Sequence, residues 1–219
     1  MFYDPDKRDH GLRHAPYKSC MVPRPIGWIS TLSRRGKVNL APYSQFNNLG
    51  YEPGYLMFSG GGQFPDGGRK DSVINAEETG EFVYNMAPYS LREAVHLTSQ
   101  ITDPEVDEML AAGLTPAPGR YVKAPLVAEC PISIECRYYT TLVLPGHEWK
   151  STHHVVIGRV LGVHIKDEFI GADGKVDILK IRPLARLGYT DYTSVESLFS
   201  MDLHEDRRDY LTWGMSGGC

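Results

Sequence analysis

Pro23-Arg24-Pro25-Ile26-Gly27-Trp28-Ile29-Ser30-Thr31-Leu32, then the polar turn Ser33-Arg34-Arg35-Gly36-Lys37 and the return Val38-Asn39-Leu40-Ala41-Pro42-Tyr43-Ser44, decide the fold of this chain. Pro23 and Pro25 forbid a helix at the start. Ile26 to Leu32 is rich in β-branched and aromatic residues and reads as a strand. Gly36 supplies the positive φ of a hairpin loop, and Val38 to Pro42 returns as a second strand. Tyr55-Leu56-Met57-Phe58-Ser59 reads as a third, largely buried strand. A glycine-rich loop, Gly60 to Gly68, ends at Arg69-Lys70-Asp71-Ser72. A helix is expected over Val73 to Thr79, capped by Asp71 or Ser72 and stopped by Gly80. Glu81 to Met86 is another strand.

A helical insert follows, with helices expected over Leu91 to Gln100 and Pro104 to Ala112. The remainder reads mainly as β: Ile132 to Leu144 and His153 to Ile165 are long strands with Pro145-Gly146 between them. Ala172-Asp173-Gly174-Lys175 is a turn, and a last strand is expected within Arg182 to Gly188. The charged tail after Ser200 is expected to be poorly ordered or docked on a partner subunit. Strand–helix alternation is absent, no G-x-G-x-x-G follows a strand, and the loop before Lys70 lacks the G-K-[ST] of a Walker motif. The class is therefore mainly β: an antiparallel barrel with peripheral helices.

The chain has 219 residues and a formal net charge of −4, which fits one domain over 1–219 with a core large enough to need no disulfides. The mild acidity argues against nucleic acid as the main partner. Cys20, Cys130, Cys136 and Cys219 form no C-x-x-C pair, so a reduced, cytoplasmic state is expected. Cys130 and Cys136 read as small buried hydrophobes. Met1 to His10 lacks the apolar core of a signal peptide, and no apolar run reaches the ~18 residues of a membrane span. His147-Glu148 is not H-E-x-x-H, and no metal site is expected.

The 23–31 segment, Gly36, Asn39-Leu40-Ala41-Pro42-Tyr43-Ser44, Phe58-Ser59, Lys70-Asp71-Ser72, Val156-Ile157-Gly158-Arg159-Val160 and Asp177 to Gly188 together resemble the flavin reductase-like family of FMN-binding split barrels. The similar branch includes flavoredoxin and the component B reductases of nitrilotriacetate-type monooxygenases. The resemblance covers roughly residues 15–195 and implies a split β-barrel, FMN as cofactor, NADH or NADPH as electron donor, and a homodimer. By this resemblance Ser30 and Thr31 contribute to the phosphate or ribityl end, and Ser44, Gln45, Phe46 and Ser59 lie near the ring or the ribityl chain.

The residues suit such a ligand. A doubly negative phosphate needs cations, hydroxyls or backbone N–H donors. Lys70, Asp71 and Ser72 stand at a helix start that offers them, and Arg24 adds a second cation. The flat ring needs an apolar slot with polar edges, for which Ala41 and Pro42, a point where the strand can bend from its ladder, are candidates. Read singly, each is plainer: Lys70 is a solvated loop lysine, Arg24 a surface residue, and Trp28, a cofactor candidate by its place in the motif, a core or dimer-interface residue. Neighbours on a strand face opposite ways, so only one of His153 and His154 can serve a site. The family's histidine before the Val-x-Gly segment favours His153, as a residue orienting a nicotinamide, against the plainer reading of a surface histidine. Hydride transfer to a flavin needs few side chains. The reduced flavin would supply a partner monooxygenase, or FMN would stay bound in a flavoredoxin-like carrier or a non-catalytic binding module.

Overall fold

The computed structural model describes residues 1–61, 68–100 and 106–201. Its main body is a seven-stranded antiparallel sheet. The strands are β2 (Gly27–Leu32), β3 (Val38–Tyr43), β4 (Phe46–Tyr51), β5 (Gly54–Gly61), β6 (Glu81–Met86), β9 (Ile132–Leu144) and β10 (His153–Ile165), in the order β3-β2-β6-β9-β10-β5-β4. A second sheet joins β1 (Arg24–Pro25), β11 (Leu184–Gly188) and β12 (Asp191–Ser194). A two-stranded ladder pairs β7 (Pro116–Ala117) with β8 (Leu126–Val127). The helices are α1 (Asp71–Thr79), α2 (Arg92–Leu97), α3 (Glu108–Ala111) and α4 (Ile178–Ile181).

β3 and β4 lie at opposite edges of the large sheet, yet only Ser44 and Gln45 separate them. So short a link brings the edges together and forces the sheet to curl, which is the geometry of a split barrel. The Gln45 carbonyl accepts the Ser59 N–H at 2.8 Å where the edges meet. The inner face buries Ile29, Phe58, Phe82, Tyr84 and Val156, and α1 presses Val73 and Ala76 into the same cluster. The other face of β2, with Trp28, packs under the insert through Val95 of α2 and Met109 of α3.

The hairpin of β2 and β3 turns at Gly36 with φ +79, and β6, β9 and β10 match the sequence reading to the residue. Pro42 does not break β3. It pairs with Trp28, tolerated because β3 is an edge strand whose outer side needs no N–H. β4, β12 and α4 were not read from the sequence. The expected cap of α1 is corrected: Lys70 is the N-cap, with extended φ −60 and ψ 135, and no side chain caps the turn. The insert helices are shorter than expected. A 3₁₀ turn, Tyr89–Leu91, precedes α2. α2 stops where the Thr98 and Ser99 hydroxyls donate to the Val95 and His96 carbonyls, a competition that ends helices. α3 starts only at Glu108, because the Asp107 carboxylate accepts the Leu110 N–H; residues 104–105 lie outside the described residues, as do 62–67 of the glycine-rich loop and the tail from 202.

Three polar side chains, two of them buried, fasten the 119–127 segment to the sheet. Asn85, fully buried, donates to the Trp28 carbonyl and to Ser30 Oγ, and its Oδ1 accepts from the Val127 N–H and Ser133 Oγ. All four of its hydrogen-bonding positions are thereby used. The Glu81 carboxylate accepts the N–H groups of Lys123 and Ala124. The fully buried Glu135 accepts the N–H groups of Arg120, Tyr121 and Val122 and contacts His164 Nε2 at 2.5 Å. Burial alone would raise the Glu135 pKa, but the hydrogen bonds from Arg120, His164, Tyr121 and Val122 hold it down at about 2. Burial raises the Cys130 and Cys136 thiols above their usual range, as fits two small core residues. Because the folded pKa of Glu135 is depressed, its stabilisation is present above the ordinary carboxylate value and is lost as pH falls toward about 2. Glu135→Gln is expected to cost about 2–4 kcal/mol at neutral pH and to flatten the acid limb of the stability curve. Urea melts from pH 7 to pH 3 check this; an unchanged acid limb would contradict it.

Candidate functional site

The N-terminus of α1 opens onto a cleft of about 110 Å³ against β3. One wall is Ala41, Pro42 and Tyr43; the facing wall is Lys70, Asp71 and Ser72; Thr98, Ser99 and Gln100 from the end of α2 close it, with Asn39 and Glu108 at the far side. Residues from four separate stretches of sequence thus converge. A larger cleft of about 660 Å³ shares Asn39, Asp71 and Glu108 and continues along the hairpin past Arg34, Arg35 and Lys37. A third, of about 500 Å³, lies elsewhere, between α2 and β12, lined by Tyr89, Arg92, His96, Leu184, Tyr192 and Ser194 among others. None of the residues singled out from the sequence lines it.

The cleft wall is tied internally. Ser72 Oγ donates to Asn39 Oδ1 at 2.7 Å, and Thr31 Oγ1 donates to the same oxygen at 3.4 Å. Asn75 Nδ2 donates to Thr31. Asn39 Nδ2 donates to Glu108 Oε1 at 3.1 Å, and the Leu40 N–H donates to Glu108 Oε2 at 3.2 Å. Burial pushes the Tyr43 hydroxyl up to about 12, offset in part by its hydrogen bond with Ser72.

Among the expected cofactor residues, Ala41, Pro42, Lys70, Asp71 and Ser72 line the small cleft, and Thr31 backs its wall. Four others stand elsewhere or are already engaged. Trp28 is fully buried in the outer core, its indole N–H donates to Thr98 at 3.0 Å, and it lines neither adjoining cleft. Ser30 faces the same way, and its hydroxyl donates to the Pro125 carbonyl, so it holds the chain rather than a ligand. Arg24 donates from Nη1 to the Lys18 and Met21 carbonyls, clasping the N-terminal segment. Phe46 is stacked on Tyr84 at 4.5 Å within the inner core. Ser44 and Gln45 form the link between the sheet edges, and Ser59 is buried beside them; none of the three lines either adjoining cleft.

The two histidines separate as strand geometry requires. His154 pairs with Gly60 and His153 with Gly61. A Cβ on Gly60 would meet Val73 and the Lys70 stem, whereas one on Gly61 would collide with the His153 ring. His154 is therefore on the Lys70 face and His153 on the opposite one, and neither lines either adjoining cleft. Burial, then the neighbouring Arg69 guanidinium, lower the His154 pKa; Arg69 itself pairs with Glu77 at 2.7 Å. Asn39 and Glu108 were missed from the sequence. Asn39 opens the Asn39–Ser44 segment that carries the resemblance, whereas the signal for Glu108 was only its place in the insert.

The donor set fits an FMN-like anion. The start of α1, whose N-cap makes no side-chain capping bond, and Lys70 line the cleft, and such termini attract phosphate. The pyrrolidine of Pro42 and the methyl of Ala41 supply an apolar strip.

Comparisons with known proteins agree. The flavin reductase like domain matches residues 19–180. A protein of Aquifex aeolicus is 39% identical over 168 residues, covering 77% of this chain and 82% of that one. One of Halalkalibacterium halodurans is 34% identical over 202 residues, covering 92% and 96%. Nitrilotriacetate monooxygenase component B from Bacillus cereus superposes with a TM-score of 0.82 at 27% identity, covering 92% of this chain and 98% of that chain. Flavoredoxin of Desulfovibrio vulgaris shares the fold, with a TM-score of 0.71 at 19% identity over 90% of this chain and 98% of its own. With its curled antiparallel sheet, its cleft at the start of α1 and a family match over most of its length, the chain belongs to the flavin reductase-like domain family.

Proposed function

We propose that this protein is an FMN-binding, NAD(P)H-dependent flavin reductase that supplies reduced flavin to a partner monooxygenase. The observation that carries the reading is the convergence of Lys70 and the uncapped start of α1 with the Ala41–Pro42 strip of β3 in one cleft. Likeness to a monooxygenase component B supports the reductase class. When bound, FMN supplies the electron-transfer chemistry. The chain's task is to hold it: Lys70 and the α1 N–H groups take the phosphate, and Ala41 and Pro42 flank the apolar portion.

Burial and the neighbouring Arg69 guanidinium favour the neutral form of His154 on the Lys70 face. A flavoredoxin-like carrier is the second reading, favoured by the fold shared with flavoredoxin. A homodimer belongs to both readings. It is supported by the β9 arm, where Leu142, Val143 and Leu144 are consecutive and each more than half exposed. Consecutive strand residues face opposite ways, so both faces of the arm are apolar and open, a pattern that marks an interaction surface.

Anaerobic addition of NADH, then NADPH, to the FMN-loaded protein tests the reaction. Rapid bleaching of the visible flavin band is expected, and the faster donor names the physiological one. A band that resists both but yields to dithionite would move the assignment to the carrier. Lys70→Ala is expected to weaken FMN about 10–100-fold while leaving lumiflavin, which has no phosphate, within about threefold; equal losses for the two would contradict the phosphate role. Light scattering on the purified protein is expected to give twice the chain mass, and Leu142→Lys with Leu144→Lys to shift it toward one.

A further inference from the structure

Away from the flavin cleft, the cleft of about 500 Å³ between α2 and β12 has the parts of a second small-molecule site. Its floor is apolar and buried, made by Val95 of α2 and Leu184 of β11. Its walls are the rings of Tyr89 and Tyr192. The two sides are tied at the base: the Tyr89 N–H donates to the Arg182 carbonyl and the Leu184 N–H to the Ala87 carbonyl, each at 2.9 Å. Two guanidinium groups stand beside this frame, those of Arg92 and Arg182, each 4.4 Å from the Tyr89 ring centroid. Arg182 is neutralised by Glu196, which accepts from its Nη2. Arg92 is held more loosely. It meets Glu93, the next residue, at 3.4 Å, and 82% of that side chain is exposed. Such a surface pair contributes little and exchanges readily for the carboxylate of a ligand.

We propose that this cleft is an effector site for a small aromatic monocarboxylate, and that α2 transmits its occupancy to the flavin cleft. A planar carboxylate matches the guanidinium fork of Arg92, while an aromatic ring covers the Val95 and Leu184 floor and lies against Tyr192. A phosphate dianion or a dicarboxylate would bring a second charge over that floor, in a cleft that Glu93 and Glu196 also line. A neutral ring of the same shape would leave Arg92 on Glu93. Transmission follows from the shortness of α2. Arg92, Val95 and His96 of this six-residue helix line the α2–β12 cleft. Thr98, Ser99 and Gln100, directly after it, close the flavin cleft. The backbone N–H groups of these three donate to the carbonyls of Ala94, His96 and Leu97. A ligand that steadies α2 therefore steadies the wall of the flavin cleft, and the ordering cost of closing that wall on a cofactor falls. The effect on flavin rests on the flavin reading above; the carboxylate site does not.

Naphthalene-2-carboxylate and its neutral amide are the probes, titrated by calorimetry into the flavin-free, full-length protein. The acid is expected to bind at least about tenfold tighter than the amide, the scale of a charge-assisted pair. Arg92→Gln is expected to erase that preference, and Glu93→Gln to raise the affinity for the acid about threefold. Both positions are exposed, so neither variant is expected to disturb folding. In wild type, and not in Arg92→Gln, the acid is expected to slow hydrogen exchange at the Thr98, Ser99 and Gln100 amides at least about threefold, and to lower the FMN dissociation constant by about the same factor. Failure of the acid to bind, equal affinity for acid and amide, or a preference that survives Arg92→Gln would overturn the site. Competition between the acid and FMN would put the acid in the flavin cleft and overturn it as well. Binding that leaves exchange at the three amides unchanged would overturn the transmission. Failure of the protein to bind FMN would overturn the flavin reading itself, while the calorimetry and the exchange still decide the carboxylate site.

Discussion

Two residues, Ser44 and Gln45, span the distance between the two edges of a seven-stranded sheet. That constraint governs the rest of the molecule. An open sheet of this width would leave its ends far apart; a two-residue link requires it to curl. Curling creates an inner face that must be filled, and α1 fills it with Val73 and Ala76. With α1 seated there, its N-terminus opens beside β3, and Lys70, Asp71 and Ser72 form one wall of the cleft.

The same logic explains the placement of buried polar groups. Carboxylates and amides that would be costly alone are each saturated by N–H donors from the chain between β6 and β9. Asn85, Glu81 and Glu135 draw the 119–127 segment onto the sheet, while Glu108 draws α3 onto β3. The chain between β6 and β9 is held to the barrel at both ends, by its own Glu108 and by Asn85, Glu81 and Glu135 of the sheet.

Much of the fold was legible because its central strands carry strong local signals. Ile132–Leu144 and His153–Ile165 are dense in β-branched and aromatic residues, and Gly36 announces its hairpin. β4, Phe-Asn-Asn-Leu-Gly-Tyr, has no such density; its strand character is imposed by pairing with β5. The site was legible in its types and only partly in its members. Lys70, Asp71, Ser72, Ala41 and Pro42 meet in one cleft. Ser30 and Trp28 do not, because which face of β2 turns toward α1 is decided by the curl and not by the motif. Ser30 finds its acceptor on Pro125, far along the chain, a pairing that no local pattern encodes. His153 was preferred over His154 by spacing, but the register of β10 on β5 puts His154 on the Lys70 face.

The most direct measurement is a crystal structure of the protein grown with FMN. Density is expected for the phosphate at Lys70 and the first turn of α1, with the flavin against Ala41 and Pro42 of β3. Density in the cleft between α2 and β12, beside Tyr89 and Tyr192, would contradict it.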